Sequence, residues 1–550
     1  MLSILFNWLY IGVTAFCLGS GFSALSGRMF GYKLKRMDSV LMAGLIIATV
    51  YAQFFSLFTG VGILANLVLI VGCAIVFVIC RKFMISFIKS CWTSYSISKK
   101  ILLFAIIVLW AYFTSRGYIH FDSDLYHAQS IRWIEEYGVV PGQGNLHGRF
   151  AYNSSSFALS ALYSMRLFSD ESIHAVSGFF ALLLSVTALD LTKSWKRRRL
   201  ILSDYARVAS VYYLTTIADE VVSPASDYLI MCMIFFIVIK WLDCLADPKD
   251  SAVVAPYALL CVACVYAITL KLTAGVILVL LIKPAYELLR QKKRRDIFLY
   301  LGMGLIVAVP WFARTVIISG WLLYPFPALD LFDVDWKMNA ELIKVDAGQI
   351  SAWGKALYDS ALADAPITVW FSNWFSTTLS GTEKVLILGD FVCILLYILG
   401  LIWTFVKRRW ENLNKLLVVG AVICSYLFWQ FSAPLIRYGY AYVLLVTFLV
   451  MGCIITNIGK HKLVYYTVIL YGIYKAVVLG DYITNSYLVE CYIYQQDYGE
   501  YEMIPYKIGD FTFYTPAEGD LQGDDYFPAT PTMSEAVPRG DRIEDGFRFQ

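Results

Sequence analysis

The sequence predicts an all-α polytopic membrane protein, and three observations lead to this fold class. Hydrophobic residues make up 59% of the 550 residues and charged residues only 16%. The mean hydropathy is +0.63. The charges occur in short clusters between long apolar runs. A chain of this composition is too apolar for a soluble globular protein.

Apolar runs of membrane-spanning length recur along the whole chain. A transmembrane helix needs about 20 predominantly apolar residues, and about 14 segments meet that requirement. The predicted helices lie near residues 4–24, 39–59, 61–80, 101–117, 172–192, 203–221, 226–243, 253–270, 272–288, 297–316, 384–406, 416–432, 438–457 and 463–480. The shorter apolar run at 155–168 is expected to form a re-entrant or interfacial helix.

Lysine and arginine in the short connections predict the orientation, because such residues stay on the cytoplasmic side. The basic clusters lie at 28–36, 81–100, 196–199, 290–295, 407–409 and 460–462. They all fall on one side of the 14-helix topology, which predicts that both termini lie outside. The net charge of +4 is accounted for by these clusters, so no nucleic-acid partner is predicted.

This topology divides the chain into five regions. They are an N-terminal transmembrane scaffold (1–100), a transmembrane module (101–318) with the outside loop 118–171, which the family resemblance given below implies to be catalytic, an extracytoplasmic interfacial segment (319–383), C-terminal transmembrane helices (384–480) and a small extracytoplasmic tail (481–550). The interfacial segment is predicted from amphipathic stretches rich in Trp and Phe. The tail contains YKIGDFTFYTP, whose alternation resembles β-strands.

The longest polar interruption in the N-terminal half runs from Phe121 to Asn153, and we call it the aspartate loop. Its first residues include an N-cap candidate, and apolar residues then recur at helical spacing, which predicts a helix of about four turns. Gly138 and Pro141 are expected to end that helix and turn the chain back over its start. Chemistry is more strongly indicated here than elsewhere in the chain.

Acidic residues in two outside loops are the candidate catalytic groups. The first loop carries Asp122 and Asp124, and the next outside connection carries Asp219 and Glu220 close to Asp227. A single aspartate at a helix start could simply cap the helix, and acidic residues at a membrane boundary could simply be solvated. The presence of two aspartates, a Tyr-His pair and a returning arginine on one loop favours a functional site.

Three cations are predicted at similar depth beside the acidic loops, namely Lys271, Arg314 and Arg437. Such an arrangement suits a cavity that accepts an anionic head group while the lipid tail stays in the bilayer. The alternative is that these side chains snorkel to lipid head groups.

A divalent cation is a possible cofactor of the loop. His127, His147 and the neighbouring carboxylates are ligand types that suit Mn or Zn. The alternative is that both histidines are hydrogen-bonded in place, and the sequence leaves the cofactor unknown.

The order of these landmarks resembles the GT-C class of membrane glycosyltransferases, which includes the protein O-mannosyltransferase and aminoarabinose transferase families. The resemblance extends over about 320 residues. Its landmarks are Asp122-x-x-x-Tyr126-His127 followed by IRWIEEYG, Asp219-Glu220, Lys271, Pro310-Trp311-x-x-Arg314, Gly320, Tyr324-Pro325 and Arg437-Tyr438. The chain also resembles multi-pass proteins encoded in bacterial capsule and O-antigen loci.

The sequence departs from the family pattern at two places. Three helices, where the family commonly has one, precede the helix that leads to the aspartate loop. Tyr152-Asn153-Ser154 stands where a Pro-Pro pair is usual. These departures leave the acceptor class and the subfamily open.

The resemblance implies transfer of a sugar from a polyprenyl-phosphate donor to an acceptor hydroxyl at the outer face of the bacterial inner membrane. The acceptor would be a glycan, a lipid-linked molecule or a protein. Asp122 is expected to be the general base and Asp124 a supporting or metal-associated carboxylate, with Asp219 and Glu220 as further catalytic candidates. The expected phosphate ligands are Lys271, Arg314, Arg437 and Arg149, and the expected substrate contacts are Tyr126, His127, Asn153 and Tyr324.

Two other classes of membrane protein would use similar residues. A polysaccharide flippase or other transporter would place cations in a membrane cavity, although no repeated helix pattern is visible. An O-antigen polymerase or ligase would also act on lipid-linked sugars, although the acidic first loop argues against it. A purely structural membrane subunit is the remaining alternative.

Overall fold

The computed structural model describes residues 1–166, 171–197, 199–251, 253–409, 412–458, 461–485 and 490–549. Within these ranges the protein is helical, with two small two-stranded sheets near its C-terminus. Eleven of the described helical segments are long and apolar enough to cross a membrane. The chain is therefore a multi-pass, α-helical membrane protein.

Helices α1 to α10 occupy the first half of the chain. They are α1 (Leu2–Phe30), α2 (Met37–Phe55), α3 (Ile63–Ser94), α4 (Ile97–Ser115), α5 (Ala128–Glu136), α6 (Ser155–Tyr163), α7 (Val176–Ala188), α8 (Leu191–Arg197), α9 (Leu202–Thr216) and α10 (Ser226–Ala246). A π-helical turn, Ser123–His127, directly precedes α5.

Helices α11 to α20 and strands β1 to β4 follow in the second half. They are α11 (Pro248–Ser251), α12 (Ala258–Leu270), α13 (Ile282–Arg290), α14 (Arg294–Ser319), α15 (Ala340–Gly354), α16 (Ile367–Thr377), α17 (Gly381–Val406), α18 (Leu413–Ser432), α19 (Ile436–Ile458), α20 (His461–Asn485), β1 (Met503–Ile508), β2 (Phe511–Pro516), β3 (Val537–Pro538) and β4 (Phe547–Arg548). A 3-10 helix, Leu272–Leu281, leads into α13.

Each predicted transmembrane segment overlaps a helix of the structure. Eleven of them correspond to the helices of spanning length and apolarity. The other three fall on α9, α12 and α20, of which α12 with its preceding 3-10 turn is apolar but short. The total of 14 transmembrane helices therefore stays a prediction.

The short apolar run at 155–168 contains α6, in which every residue is buried. This helix packs against α2, α5 and α7 in the interior, rather than lying on a membrane surface. Residues 167 and 168 of the predicted segment lie outside the described residues. The buried helix α6 thus packs directly against α5 of the aspartate loop.

Charged side chains from several helices meet at the end of the bundle that carries the basic connections. Lys240 forms an ion pair with Asp38, and Arg207 pairs with Asp204 and Asp243. All of these side chains except Asp243 are almost completely buried. Paired burial offsets the large cost of removing charge from water. This network joins α2, α9 and α10 at the end opposite the aspartate loop.

The aspartate loop forms the helical segment that its spacing predicts. The π-helical turn at 123–127 continues directly into α5, which ends before Gly138. Gly138 has a φ of 79°, and a side chain there would overlap the Ser56 carbonyl oxygen. A glycine is therefore required where the loop meets the end of α2.

The C-terminal tail folds onto this loop. Strands β1 and β2 pair antiparallel, as the alternation in the sequence predicts, and β3 pairs with β4. Trp133 of α5 is fully buried against Phe513, Phe527 and Phe547 of the tail. Aromatic contacts of this kind bury large apolar areas. The tail and the loop consequently share one hydrophobic core.

Glu135 gives the loop–tail junction a pH-dependent stability. Burial, reinforced by Asp524, raises the pKa of Glu135 from its ordinary 4.5 to about 8, while Ser172 donates to its carboxylate at 2.9 and 3.0 Å. Between these two pH values the folded protein holds a proton that the unfolded chain releases, so stability falls as pH rises. We expect Glu135→Gln to raise the melting temperature by about 2–4 °C at pH 8 and to leave it unchanged near pH 4.5.

Glu136→Gln is the matched control, because its side chain is 45% exposed. It should leave the melting temperature unchanged at both pH values. An equal gain by Glu135→Gln at both pH values would contradict the titration of Glu135.

Candidate active site

Four charged side chains from distant parts of the chain meet at the end of the bundle beneath the aspartate loop. Arg437 Nη2 lies 2.6 Å from Asp122 Oδ2, and Arg437 Nε lies 3.5 Å from Asp227 Oδ2. Lys271 Nζ forms a close ion pair with the other oxygen of Asp227. We call Asp122, Asp227, Lys271 and Arg437 the charged cluster.

The ends of apolar helices bring this cluster together. Asp227 is the second residue of α10, and Arg437 is the second residue of α19. Lys271 directly follows α12, and Asp122 lies in the loop that follows α4. Each side chain therefore lies where a membrane helix gives way to a polar connection, as expected for ionisable groups in an apolar protein.

Tyr438 contacts both cations of the charged cluster. Its hydroxyl accepts a hydrogen bond from Arg437 Nη2 at 3.1 Å, and Lys271 Nζ lies 3.4 Å from the centroid of its ring. The side chains of Arg437, Asp122 and Lys271 remain 28%, 23% and 22% exposed. The cluster is thus ordered by its own contacts and is still accessible to a ligand.

Asp122 is held as a carboxylate by its surroundings. Burial opposes its ionisation, but the neighbouring His127, Arg437 and His120 outweigh burial and hold its pKa below the ordinary value. Burial lowers the pKa of His127 to about 4, and the pKa of His120 is also lowered, first by burial and then by Arg437. Both histidines are therefore neutral near pH 7, and Arg437 supplies the positive charge that stabilises the Asp122 carboxylate there.

The two loops that carry the acidic catalytic candidates lie against each other. Tyr118 N donates to the Asp219 carbonyl oxygen at 2.6 Å, and His120 N donates to Ser223 Oγ at 2.8 Å. A side chain at Gly117 would overlap the same Asp219 carbonyl oxygen. The backbone carbonyl of Asp219, rather than its carboxylate, makes this contact between the loops.

Glu220 lies near the charged cluster without joining its ion pairs. Burial raises the pKa of Glu220, and a hydrogen bond from Tyr228 opposes that shift. Tyr228 belongs to the same first turn of α10 as Asp227. Glu220 and Asp219 therefore border the cluster, and their predicted catalytic roles stay predictions.

Asp124 faces away from Asp122. Its Oδ1 accepts a hydrogen bond from Gly499 N at 3.0 Å, and its carbonyl oxygen accepts from Gln522 N and Gly523 N, both at 3.1 Å. The π-helical turn that begins at Ser123 separates the directions of the two carboxylates. Asp124 thus anchors the tail, and its predicted role as a supporting carboxylate stays a prediction.

A second polar group surrounds Asp346 of α15. The hydroxyl of Tyr152 donates to Asp346 Oδ2, Tyr324 Oη donates to the same oxygen at 3.2 Å, and Arg149 Nη1 lies 3.5 Å from Asp346 Oδ1. Two predicted site residues, Arg149 and Tyr324, therefore lie together, although they are 175 positions apart in sequence. The carboxylate that joins them is Asp346.

Tyr126 and His127 lie between the charged cluster and the Asp346 group. The Tyr126 ring is 4.4 Å from that of His127 and 6.5 Å from that of Tyr152, measured between centroids. Asp122 and Arg149 are near enough to influence the ionisation of Tyr126. These two predicted substrate residues thus form the packed partition between the two polar groups.

Arg314 lies outside the charged cluster. It is 2% exposed, its Nε donates to Asn153 Oδ1 at 3.0 Å, and its Nη1 donates to Ser56 Oγ. Asn153 Nδ2 in turn donates to Thr315 Oγ1 at 3.0 Å. Arg314 and Asn153 therefore fasten the loop to α14 and α2, and their predicted substrate contacts stay predictions.

We expect Arg314→Lys to lower the free energy of unfolding, because one Nζ cannot reach both Asn153 and Ser56. A buried hydrogen-bonding group that is left without a partner costs about 1–3 kcal/mol. Thermal melting measures this loss, with Arg542→Lys in the exposed tail as the control. An unchanged melting temperature together with a higher donor KM would instead assign Arg314 to the phosphate.

The described residues contain no group of three or more His, Cys, Asp or Glu side chains placed to hold a metal ion. The two loop histidines have other contacts. His127 Nδ1 lies 3.2 Å from Ser123 Oγ, and His147 Nδ1 accepts from Arg149 N at 3.3 Å. Both side chains thus make the kind of hydrogen-bonding contact that the sequence analysis gives as the alternative to metal binding.

The family model described as "Domain of unknown function (DUF8201)" matches residues 1–444. The chain belongs to this family. No curated protein and no solved structure matches the sequence. The family match includes all four residues of the charged cluster and Asp346, whereas strands β1 to β4 of the tail lie beyond it.

Sequence reasoning missed Asp346 and placed Asp227 only among the acidic residues of its loop. A signal for Asp227 was present, because it follows Pro224 at a predicted helix start on the same side as Asp122. Asp346 carried no comparable signal, since it lies within an amphipathic stretch and its partners are 22 to 197 positions away.

Proposed function

We propose that this chain is a GT-C-type membrane glycosyltransferase that uses a polyprenyl-phosphate sugar as its donor. The observation that carries the proposal is the charged cluster, in which Arg437 bridges Asp122 and Asp227 at the ends of apolar helices. A reactive carboxylate and two cations thus lie together at the edge of the apolar bundle. That is the combination needed to transfer a sugar from a lipid phosphate.

The position of the cations suits a donor that approaches from the bilayer. Arg437 and Lys271 lie at the ends of α19 and α12, so a phosphate could reach them while its prenyl chain remains among the helices. Guanidinium groups bind phosphate through paired, charge-assisted hydrogen bonds. Tyr438 beneath both cations holds them in position for the phosphate.

Asp122 is the general base of the proposed reaction. Its carboxylate takes the proton of the acceptor hydroxyl as the acceptor oxygen bonds to the anomeric carbon and the bond from that carbon to the phosphate oxygen breaks. Arg437 and Lys271 offset the charge on the departing polyprenyl phosphate. A single displacement of this kind inverts the anomeric configuration.

The donor itself would activate the base. In the absence of ligand, Arg437 stabilises the Asp122 carboxylate and keeps its pKa low, which weakens it as a base. A donor phosphate that binds Arg437 would compete for this guanidinium and raise the basicity of Asp122. Proton removal would thereby be coupled to donor binding.

The basic connections support an active site at the outer face of a bacterial inner membrane. The charged cluster lies at the end of the bundle opposite the basic segments at 28–36 and 290–295. Basic connections stay in the cytoplasm. The product would be a surface polysaccharide or another glycoconjugate of the cell envelope.

A panel of polyprenyl-phosphate sugars, incubated with the purified protein in lipid nanodiscs and a mixture of hydroxyl acceptors, tests this function. We expect one donor to release polyprenyl phosphate in an acceptor-dependent manner. If the protein moves the intact donor between leaflets of a vesicle and cleaves none of the panel, it is a transporter.

A further inference from the structure

A cavity of about 440 Å³ opens beside the aspartate loop, between that loop, α15 and the C-terminal tail. Polar side chains from all three parts line it, among them Asn145 and Arg149 of the loop, Asp346 and Gln349 of α15, and Asp520 and Glu535 of the tail. We call this space the loop–tail cavity. Its volume lies within the range of small-molecule binding sites.

Several polar groups of the cavity have no protein partner. Asn145 is only 3% exposed, and its Nδ2 donates to two carbonyl oxygens, but its Oδ1 accepts no hydrogen bond. Among the described residues, no hydrogen bond is formed by the side chains of Gln349, Asp520 or Glu535. The amide and carboxylate oxygens of Gln349, Asp520 and Glu535 are therefore available to accept hydrogen bonds from a ligand.

The cavity lies beside the charged cluster, with Tyr126 and His127 packed between them. Leu125, which lines it, belongs to the helical turn that directly follows Asp122. Arg149 lines it as well and is near enough to Asp122 to lower the pKa of that carboxylate. A molecule bound in the cavity would therefore lie near the proposed general base, separated from it by the side chains of Tyr126 and His127.

The charge of the cavity selects its ligand. Three carboxylates, Asp346, Asp520 and Glu535, face a single guanidinium, that of Arg149. His147 adds no charge near neutral pH, because burial and Arg149 lower its pKa to about 4. The cavity is thus net negative, and like charges across an interface oppose binding.

Apolar side chains form the remaining walls. Leu342, Val345, Met533 and Phe549 line the cavity and are all at least 37% exposed. The cavity therefore offers apolar and aromatic surface together with free carboxylate and amide oxygens. Sugar rings match this combination, because their C–H faces are apolar and their edges carry hydroxyl donors.

We propose that the loop–tail cavity binds the acceptor of the reaction, and that this acceptor is a neutral or amino-bearing glycan rather than an anionic one. The assignment of the glycan as acceptor rests on the proposed glycosyltransferase function. The tail completes the cavity through Asp520 and Glu535, so the region beyond the family match selects the acceptor.

Binding of three tetrasaccharides to the protein in nanodiscs, without any donor, tests the proposal. The probes are chitotetraose, which is cationic, N-acetylchitotetraose, which is neutral, and tetragalacturonate, which is anionic. We expect the anionic probe to bind at least about tenfold more weakly than the better of the other two. Asp520→Lys/Glu535→Lys should abolish or reverse this preference.

Glu518→Lys is the matched control, because Glu518 is an exposed acidic residue of the tail that does not line the cavity. It should keep the preference of the parent. The proposal is overturned if tetragalacturonate binds the parent as tightly as the other probes, if no probe binds, or if Glu518→Lys matches the double variant.

These outcomes separate this inference from the proposed function. Donor cleavage without the expected glycan preference would overturn the acceptor assignment alone. The expected preference, in a protein that cleaves no donor, would overturn the transferase function and leave a glycan-binding cavity.

Discussion

Asp122→Asn should reduce sugar transfer by at least about a hundredfold, while the protein still folds and inserts into the membrane. Asparagine keeps the size of the side chain and still offers Arg437 an oxygen acceptor. It removes the basic oxygen that would accept the proton of the acceptor hydroxyl. The rate under saturating donor and acceptor measures this loss directly.

Asp124→Asn is the matched control for that variant. Asp124 lies two residues away and accepts a hydrogen bond from Gly499 of the tail, which an asparagine oxygen can also accept. Its transfer rate should stay close to that of the parent. If Asp124→Asn is inactive and Asp122→Asn is fully active, the general base is assigned to the wrong carboxylate.

Arg437→Ala should weaken donor use by about a hundredfold in kcat/KM, and Arg437→Lys by about tenfold. Loss of one partner from a buried charge pair costs about 2–5 kcal/mol. Lysine keeps the charge but cannot contact Asp122 and Asp227 through separate nitrogens, as Arg437 does through Nη2 and Nε. Initial rates across donor concentrations measure the effect.

Binding of polyprenyl phosphate without a sugar distinguishes a phosphate ligand from a structural residue. Arg437→Ala should bind this lipid more weakly than the parent, whereas Asp122→Asn should bind it more tightly, because Arg437 then loses its competing carboxylate. Arg542→Lys, at an exposed arginine of the tail, should match the parent. Equal affinity of the parent and Arg437→Ala would show that Arg437 does not bind the phosphate.

Much of the fold could be predicted because the signals are local. Long apolar runs predict membrane helices directly from hydropathy. Each of the 14 predicted segments overlaps a helix of the structure. Alternation in YKIGDFTFYTP similarly predicts the strands that pair as β1 and β2. Local patterns do not reveal what a strand packs on, so the burial of Trp133 by the tail could not be predicted.

The candidate site was predictable in its residue types but only partly in its geometry. Asp122, Lys271 and Arg437 share the charged cluster because the topology puts their helix ends on one side of the bundle. The opposite directions of Asp122 and Asp124 depend on a π-helical turn, which no local pattern in the loop indicated. The burial of Arg314 depends on Ser56, which lies 258 positions away.

One measurement tests the central claim most directly: a single-turnover reaction in which polyprenyl phosphate and glycosylated acceptor are quantified in the same sample. The parent protein in nanodiscs should form the two products in equal amounts, and Asp122→Asn should form neither on the same time scale. An intact donor in the parent reaction, or equal donor cleavage by Asp122→Asn, would contradict transfer by the charged cluster.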